Sequence, residues 1–233
     1  GFQFTGNYVY SEPNASPTEA WLAQSCNEVL AREDQLYGYA PLTAIVSWPT
    51  LDPKTHDSEW NREGDKSKRQ NDIAVVDINH IGINRQQVAG FFGAYHIYPN
   101  YPTFMNNEAA YDAYQDEVGR LRYGGYLQEF MAGHRKFPAL VAEYGLSTST
   151  SVAQYSPDGY HHGGLSEADQ AHGIIRMTAA IRREHYAGAV IFEWMDEWAK
   201  KTLTSEPFMI PYDRHVYWSN VQDPEQNYGL IQN

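Results

Sequence analysis

Four short apolar runs set the pattern of hydrophobic and polar positions along this chain. They lie near residues 42–48, 90–97, 138–143 and 188–195, and a Pro or a Gly stands at the entry to each. Short continuous apolar runs are typical of strands that are buried on both faces of a parallel sheet. We therefore predict four strands of a parallel sheet.

Helical patterns alternate with these runs. Residues 16–19, Ser-Pro-Thr-Glu, predict a helix start with a Ser N-cap, a Pro in the first helical position and a Glu that closes a capping box. Apolar residues then recur at helical spacing until about Gly38. Further helices are predicted over about 108–132 and from Ser166 to about Tyr186. Alternation of strand and helix is typical of parallel βαβ units.

The element order predicts an α/β fold of the (β/α)8 barrel type. Four strands are half of such a barrel, which usually needs about 250 residues or more. We expect one domain over residues 1–233 that holds only part of such a barrel. The polar stretch 54–72 is predicted to be an excursion from the core. Residues 199–233 are predicted to form an irregular tail that packs on the barrel.

Composition narrows the classes of function. A formal charge of −12 argues against nucleic-acid binding, which needs clustered Lys and Arg. No apolar run reaches the length of about 18 residues that predicts a membrane span, and no signal peptide is visible. Cys26 lies in a helical pattern and is predicted to be an inert, buried thiol. The 18 Tyr and 6 Trp offer flat faces that suit carbohydrate rings, although they suit core packing as well.

Polar and aromatic residues stand where the apolar runs end. In a βα barrel the C-terminal ends of the strands carry the chemistry, because the barrel supports them rigidly. A carboxylate walled by Tyr and Trp indicates sugar chemistry. The candidates are Trp48, Asp52, His96, Tyr98, Glu143, Tyr144, Trp194, Asp196 and Glu197. Packing roles stay open for several of them: a carboxylate held by Arg or Tyr for Glu143, and a core position for His96 or Trp194.

Three strand-end motifs resemble retaining glycoside hydrolases of the (β/α)8 superfamily that includes families 2 and 5. They are His-Ile-Tyr at 96–98, Glu-Tyr-Gly at 143–145, and Trp194. The loop 48–53 and the segment 217–220 resemble uncharacterised bacterial barrel proteins related to family 2. The resemblance implies hydrolysis of O-glycosidic bonds with retention, no cofactor, and a place outside the cytoplasmic membrane.

The resemblance implies that the four strands are the later strands of the barrel, about the fifth to the eighth. In that superfamily Glu143 would be the nucleophile, while His96, Tyr98 and Trp194 would position the sugar and the nucleophile. Tyr98, from the adjacent strand, would donate a hydrogen bond that keeps Glu143 ionised.

The general acid/base would be a Glu at the end of an earlier strand. The pair at 27–28, Asn-Glu, lies inside the first predicted helix, so we expect the acid to be absent from this chain. A non-catalytic carbohydrate-binding barrel or pseudoenzyme is the alternative. Unpaired strand edges also predict a partner, either a missing N-terminal half-barrel or a second copy.

Four further polar groups lie at or beyond the ends of the apolar runs or in loops. Strand alternation puts Glu193 on the opposite face from Trp194, which makes Glu193 a weak catalytic candidate. The histidines at 161, 162 and 172 lack the spacing of a metal site, and a loop over the pocket is the preferred interpretation; no metal is predicted. Asp77, Asn79 and His80 are predicted to bind either a sugar or a structural cation. Asp196 and Glu197 lie beyond their strand and could reach the mouth as substitute carboxylates.

Overall fold

The computed structural model describes residues 3–56, 58, 75–84, 88–202 and 223–231. Its strands and helices are β1 (Val9–Ser11), α1 (Pro17–Tyr37), β2 (Thr43–Ser47), β3 (Ile81–Ile83), β4 (Phe91–His96), α2 (Thr103–Asn107), α3 (Arg122–Gly133), β5 (Ala139–Tyr144), α4 (Glu167–Arg183) and β6 (Gly188–Ile191). Within these described ranges, short 3-10 helices lie at Pro49–Leu51, Ile78–His80, Ala109–Ala113 and Pro224–Gln226. Most of the predicted excursion, and the segment 217–220, lie outside the described residues.

A four-stranded parallel sheet is the main element of the fold. Its strand order is β2-β4-β5-β6, and β2 pairs with β4 in a register that joins Thr43 to Phe91 and Ser47 to Tyr95. Strands β1 and β3 form a separate antiparallel pair. The predicted α/β class and the four strands are confirmed. The described part of the chain does not show a closed barrel, so the barrel stays a prediction.

Helix α1 begins and ends where its sequence predicts. The Ser16 side chain accepts a hydrogen bond from the backbone N–H of Glu19, and the Glu19 carboxylate accepts one from the backbone N–H of Ser16. The helix stops at Gly38, whose φ of 78° is a left-handed conformation that favours glycine. Local capping chemistry alone is enough to place this helix.

The single helix predicted over 108–132 is wrong. A 3-10 helix and a turn occupy its first half, and α3 begins only at Arg122. The Asp116 carboxylate accepts hydrogen bonds from the backbone N–H groups of Val118 and Gly119, and Gly119 has a φ of 133°. This Asx-type turn satisfies the backbone locally and so competes with helix formation.

The last strand is shorter than predicted and ends at Ile191 rather than at 195. Beyond it the backbone bonds to residues 228–231 of the same chain. The N–H of Glu193 donates to Tyr228 O at 3.2 Å, and Glu193 O accepts from the N–H of Leu230 at 3.0 Å. Regular alternation of side chains therefore cannot be applied to Glu193 and Trp194.

The chain contacts divide into two compact units. The first unit holds Gly1–His96, Glu129–Ala142 and Tyr186–Gly188. Its core includes Val9, Leu30, Ile45, Ile81 and Phe91, all buried. Cys26 is partly buried at the edge of this core, and burial raises the pKa of its thiol.

The second unit holds Ile97–Gln128, Glu143–His185 and Ala189–Asn233. Its fully buried side chains include Phe104, Met105, Leu121, Tyr123, Tyr126, Leu127, Tyr144, Leu146 and Met177. Helix α4 begins at the predicted cap, because Ser166 Oγ accepts from the backbone N–H of Asp169. No described helix is both long and apolar enough to cross a membrane.

Candidate functional site

The hydrogen bond between Tyr98 and Glu143 is the centre of the candidate site in the second unit. The Ile97 N–H donates to Glu143 O at 2.9 Å, which brings the residue after β4 alongside the carboxyl end of β5. One residue further on, Tyr98 Oη donates to Glu143 Oε2 at 2.9 Å. Burial raises the pKa of Tyr98, and the charges of nearby Tyr228 and Glu143 raise it further. The phenol therefore stays protonated and remains a donor to the carboxylate.

Aromatic rings surround this pair. The rings of Tyr98 and Tyr228 lie 5.7 Å apart, edge to face, and Phe192 lies 6.4 Å from Tyr98 and 5.5 Å from Tyr228. Phe192 is held there because its N–H donates to Tyr144 O at 2.8 Å. Edge-to-face packing of this kind holds the rings in defined positions. The carboxylate thus stands against a rigid aromatic wall.

Gly145 lets this wall approach β5. A Cβ at position 145 would overlap the carbonyl oxygen of Phe192, which is backbone and cannot rotate away as a side chain can. The first and last residues of the Glu-Tyr-Gly motif therefore each have a physical role. Glu143 supplies the carboxylate, and Gly145 leaves room for the neighbouring backbone.

Lys200 and two carboxylates form a charged group beside the Phe192 ring. Lys200 Nζ is 2.9 Å from Glu197 Oε2 and 3.4 Å from Glu225 Oε2, and it stands 4.4 Å from the centre of the Phe192 ring. Burial raises the pKa of Glu225, Lys200 lowers it, and Glu143 is among the charges that raise it. Glu225 is therefore within electrostatic reach of the Glu143 carboxylate.

Glu193 differs from its neighbours because one of its oxygens has no partner. Its Oε1 is sealed from solvent and makes no hydrogen bond within the described structure, although the residue as a whole is only partly buried. Burial raises the pKa of Glu193 to about 7, and the negative charge of Glu197 adds to that shift. At neutral pH this carboxyl group is therefore protonated in a large fraction of molecules.

His162 comes to the same wall from the loop after β5. Its ring centre lies 6.0 Å from that of Tyr228, and its Nε2 is sealed from solvent without a hydrogen-bond partner in the described structure. The loop folds back on itself through the antiparallel bridge between Gln154 and His162. Burial lowers the pKa of His162 to about 4, and the charge of Asp223 offsets part of that effect. The imidazole is therefore neutral at physiological pH.

Two predicted substrate-binding residues are instead tied into the fold of the second unit. Tyr144 is 1% exposed, and its Oη lies 2.6 Å from Thr178 Oγ1 on α4. Asp196 is buried and accepts hydrogen bonds from Gly229 N–H at 2.9 Å and from Asn227 Nδ2 at 3.2 Å. These bonds hold neighbouring segments together, because each polar group is buried with a protein partner.

Trp194 and Glu197 lie on the surface of the second unit. The Trp194 side chain is 67% exposed, and it is the ring of Phe192, two residues earlier, that packs against Tyr98. Glu197 is exposed and paired with Lys200. Because the strand ends at Ile191, Phe192 rather than Trp194 packs against Tyr98.

The remaining predicted site residues belong to the first unit. Asp52 is buried, accepts from Lys54 N–H at 2.8 Å, and lies 3.0 Å from His56 Nε2. Trp48 is 45% exposed at the start of a 3-10 helix, and His96 is the partly buried last residue of β4. Asp52 thus has an evident structural role as a buried hydrogen-bond acceptor.

The Asp77–His80 group forms part of a closed hydrogen-bond network in the first unit. Glu19 accepts from Asp77 N–H at 2.7 Å and lies 2.9 Å from His80 Nδ1. Asn79 accepts from Arg135 N–H and donates to Gly133 O at 3.0 Å. A cleft of about 760 Å³ borders this network. Among the described residues, no group of three or more His, Cys, Asp or Glu is arranged to hold a metal ion.

Sequence reasoning missed several residues of the second unit that lie close to the Tyr98–Glu143 pair or to Phe192. They are Phe192, Lys200, Glu225 and Tyr228. Glu193 was predicted to be only a weak catalytic candidate, because the strand was expected to continue to residue 195. The same expectation concealed the role of Phe192. The others lie in segments with no periodic pattern, where local sequence carries no signal for a long-range contact.

Comparison of this chain with family models, with curated proteins and with solved structures finds no match in any of the three. The site is therefore interpreted from its own geometry. That geometry consists of a carboxylate held by a phenol, an aromatic wall, and a set of carboxyl groups around one lysine.

Proposed function

We propose that this chain carries the nucleophile side of a retaining glycoside hydrolase, with Glu143 as the nucleophile. The observation that supports it is the 2.9 Å hydrogen bond from Tyr98 Oη to the Glu143 carboxylate at the carboxyl end of a parallel strand. A nucleophilic carboxylate must stay ionised, and a hydrogen bond donated to it favours that form. In α/β folds this end of the strands is where ligands bind.

The chemistry follows from these roles. A Glu143 oxygen bonds to the anomeric carbon while the bond from that carbon to the leaving oxygen breaks. A second carboxylic acid, about 5–5.5 Å away in retaining enzymes, protonates the leaving oxygen. Water then attacks the glycosyl ester and releases the sugar with its original configuration. The resemblance places the acid at the end of an earlier barrel strand.

The aromatic wall supplies the binding surface in this proposal. Tyr98 and Phe192 are both partly exposed, and apolar ring faces suit the C–H faces of a sugar. Tyr228 is buried and packs edge to face against both rings. The four parallel strands are proposed to be the later strands of a (β/α)8 barrel. Within such a barrel β5 and β6 would be the seventh and eighth strands, which fits the placement of Glu143 at the end of β5.

Covalent trapping tests the proposal. The protein is incubated with 2-deoxy-2-fluoro glycosides that carry a dinitrophenolate leaving group, which departs without help from an acid. Intact mass spectrometry should show one added glycosyl group, and peptide mapping should place it on Glu143. Glu143→Gln should take no label, while the exposed control Glu28→Gln should label as the parent does.

Two outcomes contradict the assignment. A label on a different carboxylate would remove Glu143 from the nucleophile role. Saturable sugar binding without any label, measured by calorimetry, would favour the alternative of a non-catalytic carbohydrate-binding domain.

A further inference from the structure

We propose that Glu193 binds the substrate in its neutral carboxylic acid form, and that the site therefore takes an uncharged sugar and rejects a uronic acid. The inference rests on the proposed function, because it concerns the same site. Strand alternation predicted that Glu193 would face away from the substrate, so a binding role for this residue is new.

The backbone of Glu193 is fixed on both sides. Its N–H donates to Tyr228 O and its carbonyl accepts from Leu230 N–H, so two hydrogen bonds to residues 228–230 hold its backbone in place. The preceding residue, Phe192, packs on Tyr98, which holds the Glu143 carboxylate. Glu193 therefore follows directly from the aromatic wall and is held with the rigidity that a binding residue needs.

The charges that face Glu193 come from two segments. Asp196, Glu197 and Lys200 lie on its own loop, and Glu225 lies on the segment that follows residue 223. Lys200 is bonded to Glu197 and Glu225, so it offsets only part of the negative charge. Among these described groups that act on Glu193, three carboxylates face it and one ammonium group, that of Lys200, opposes them.

Glu193 has little to stabilise an ionised form. Its Oε1 is shielded from water and has no hydrogen-bond donor among the described residues. A desolvated, unpaired carboxylate oxygen costs far more free energy than a desolvated neutral one. The rise in the pKa of Glu193 to about 7 agrees with this argument.

A neutral carboxyl group both donates and accepts a hydrogen bond, as a sugar hydroxyl does. A pair of such groups can satisfy each other without any net charge. The carboxylate of a uronic acid would instead face Glu197 and Glu225, and like charges at short range oppose binding. The substrate class that fits is thus a neutral glycoside with a free hydroxyl toward Glu193.

The test uses Glu193→Gln, with Glu28→Gln as the control, because Glu28 is exposed on α1 and is not among the charges that act on Glu193. The probes are nitrophenyl glycosides of glucose, galactose, mannose, glucosamine and glucuronic acid, assayed for KM and kcat between pH 5 and pH 9. In the parent protein, KM for the preferred neutral glycoside should rise about tenfold as pH passes through 7, because the donated hydrogen bond is lost. Glu193→Gln keeps a donor and cannot ionise, so its KM should stay low and flat over this range.

The control should keep the pH dependence of the parent. Turnover of the glucuronide should be at least about tenfold less efficient than that of the best neutral sugar. A preference for the glucuronide or for the cationic glucosaminide overturns the inference, and so does a KM profile that Glu193→Gln leaves unchanged.

A direct titration gives a readout that does not depend on enzymatic activity. Carbon-13 NMR of the Glu side-chain carboxyls in the parent protein should show one group with a midpoint near pH 7, absent from Glu193→Gln spectra. Addition of the preferred neutral monosaccharide should shift that midpoint upward. A midpoint in the ordinary range for Glu overturns the inference.

Failure of the two proposals is distinguishable. If no glycoside is turned over or trapped, while calorimetry shows neutral sugar binding that weakens above pH 7, the hydrolase proposal fails and the role of Glu193 survives. If Glu143 is labelled but sugar binding is independent of pH, the hydrolase proposal survives and the role of Glu193 fails.

Discussion

Two polar clusters lie in the two units of this protein, and they differ in how their hydrogen bonds are satisfied. In the first unit, Glu19 caps a helix, accepts from Asp77 N–H and contacts His80, so both of its oxygens have partners. In the second unit, Glu193 Oε1 and His162 Nε2 are sealed from solvent without a partner among the described residues. Both clusters contain carboxylates and a histidine, so composition does not separate them.

The difference separates structural polar groups from candidate functional ones. Buried polar groups that hold a fold are normally bonded within the protein. Buried groups left unpaired cost stability, and such a cost is typical of sites that bind a ligand or perform chemistry. The Glu19 network thus has a structural explanation, whereas Glu193 and His162 are candidates for contact with a ligand, as proposed above for Glu193.

The largest expected effect is at Gly145, where a methyl group would disrupt the second unit. Gly145→Ala should lower the free energy of unfolding by about 3 kcal/mol or more, because the new Cβ overlaps fixed backbone at Phe192. Urea denaturation measures this. Gly90→Ala is the matched control, since its Cβ would meet only the mobile end of Leu42. Equal and small losses in both variants would contradict the close approach.

Glu19→Ala tests the satisfied cluster. It should cost about 2–3 kcal/mol of stability, because the capping box loses its carboxylate and the N–H of Asp77 loses its acceptor. Sugar binding by the folded protein should not change. Glu28→Ala, on the exposed side of the same helix, should change stability by less than about 0.5 kcal/mol. A change in sugar affinity at Glu19 would mean that the first cluster is not purely structural.

The pH dependence of stability tests the unsatisfied cluster. Burial lowers the pKa of His162 to about 4. The stability of the folded protein that depends on a neutral His162 is therefore intact above pH 6.5 and is lost as pH falls towards 4. This loss should amount to about 2 kcal/mol. Glu193 acts in the opposite direction: its raised pKa favours the folded protein below pH 4.5, and that advantage is lost as pH rises through 7.

His162 and Glu193 change the free energy of unfolding with pH in opposite directions. Their two effects partly cancel in the parent protein between about pH 4.5 and 6.5. His162→Phe should therefore become less stable as pH rises over this range, while Glu193→Gln should become more stable. Urea midpoints measured at half-unit pH steps check both. Parallel curves for the parent and both variants would show that neither group titrates as described.

Tyr98→Phe is expected to have the smallest effect on stability and a selective effect on the site. Loss of the phenol leaves the ring packing in place, so stability should change by about 1 kcal/mol or less. The rate of fluoro-glycoside labelling should fall by about 10- to 100-fold, because the nucleophile loses the donor that holds it. Tyr123→Phe, whose buried Oη donates to Ile97 O, is the control that should leave labelling unchanged.

Local chemistry accounts for the successful sequence predictions. Ser16, Pro17 and Glu19 specify the start of α1 within a few residues of chain, and Ser166 does the same for α4. The predicted meeting of Tyr98 and Glu143 is confirmed, since neighbouring parallel strands bring their carboxyl ends together. Whether that pair acts on a sugar stays a prediction.

Predictions failed where a distant segment competes with a local pattern. The long helix over 108–132 gave way to a turn built by Asp116 and Gly119. The last strand ended early because residues 228–231 take backbone hydrogen bonds of residues 193, 194 and 196. Phe192 therefore meets Tyr98, while Trp194 lies on the surface.

The sequence alone determined the α/β class, the four strands, two capped helices and a carboxylate at a strand end, because caps, turns and apolar runs act over short distances. Only the tertiary structure decided which polar groups are satisfied and which are not. Glu19 and Glu193 are chemically identical side chains. Their partners come from segments far away in the chain, and those partners determine that one stabilises the fold while the other is free to meet a ligand.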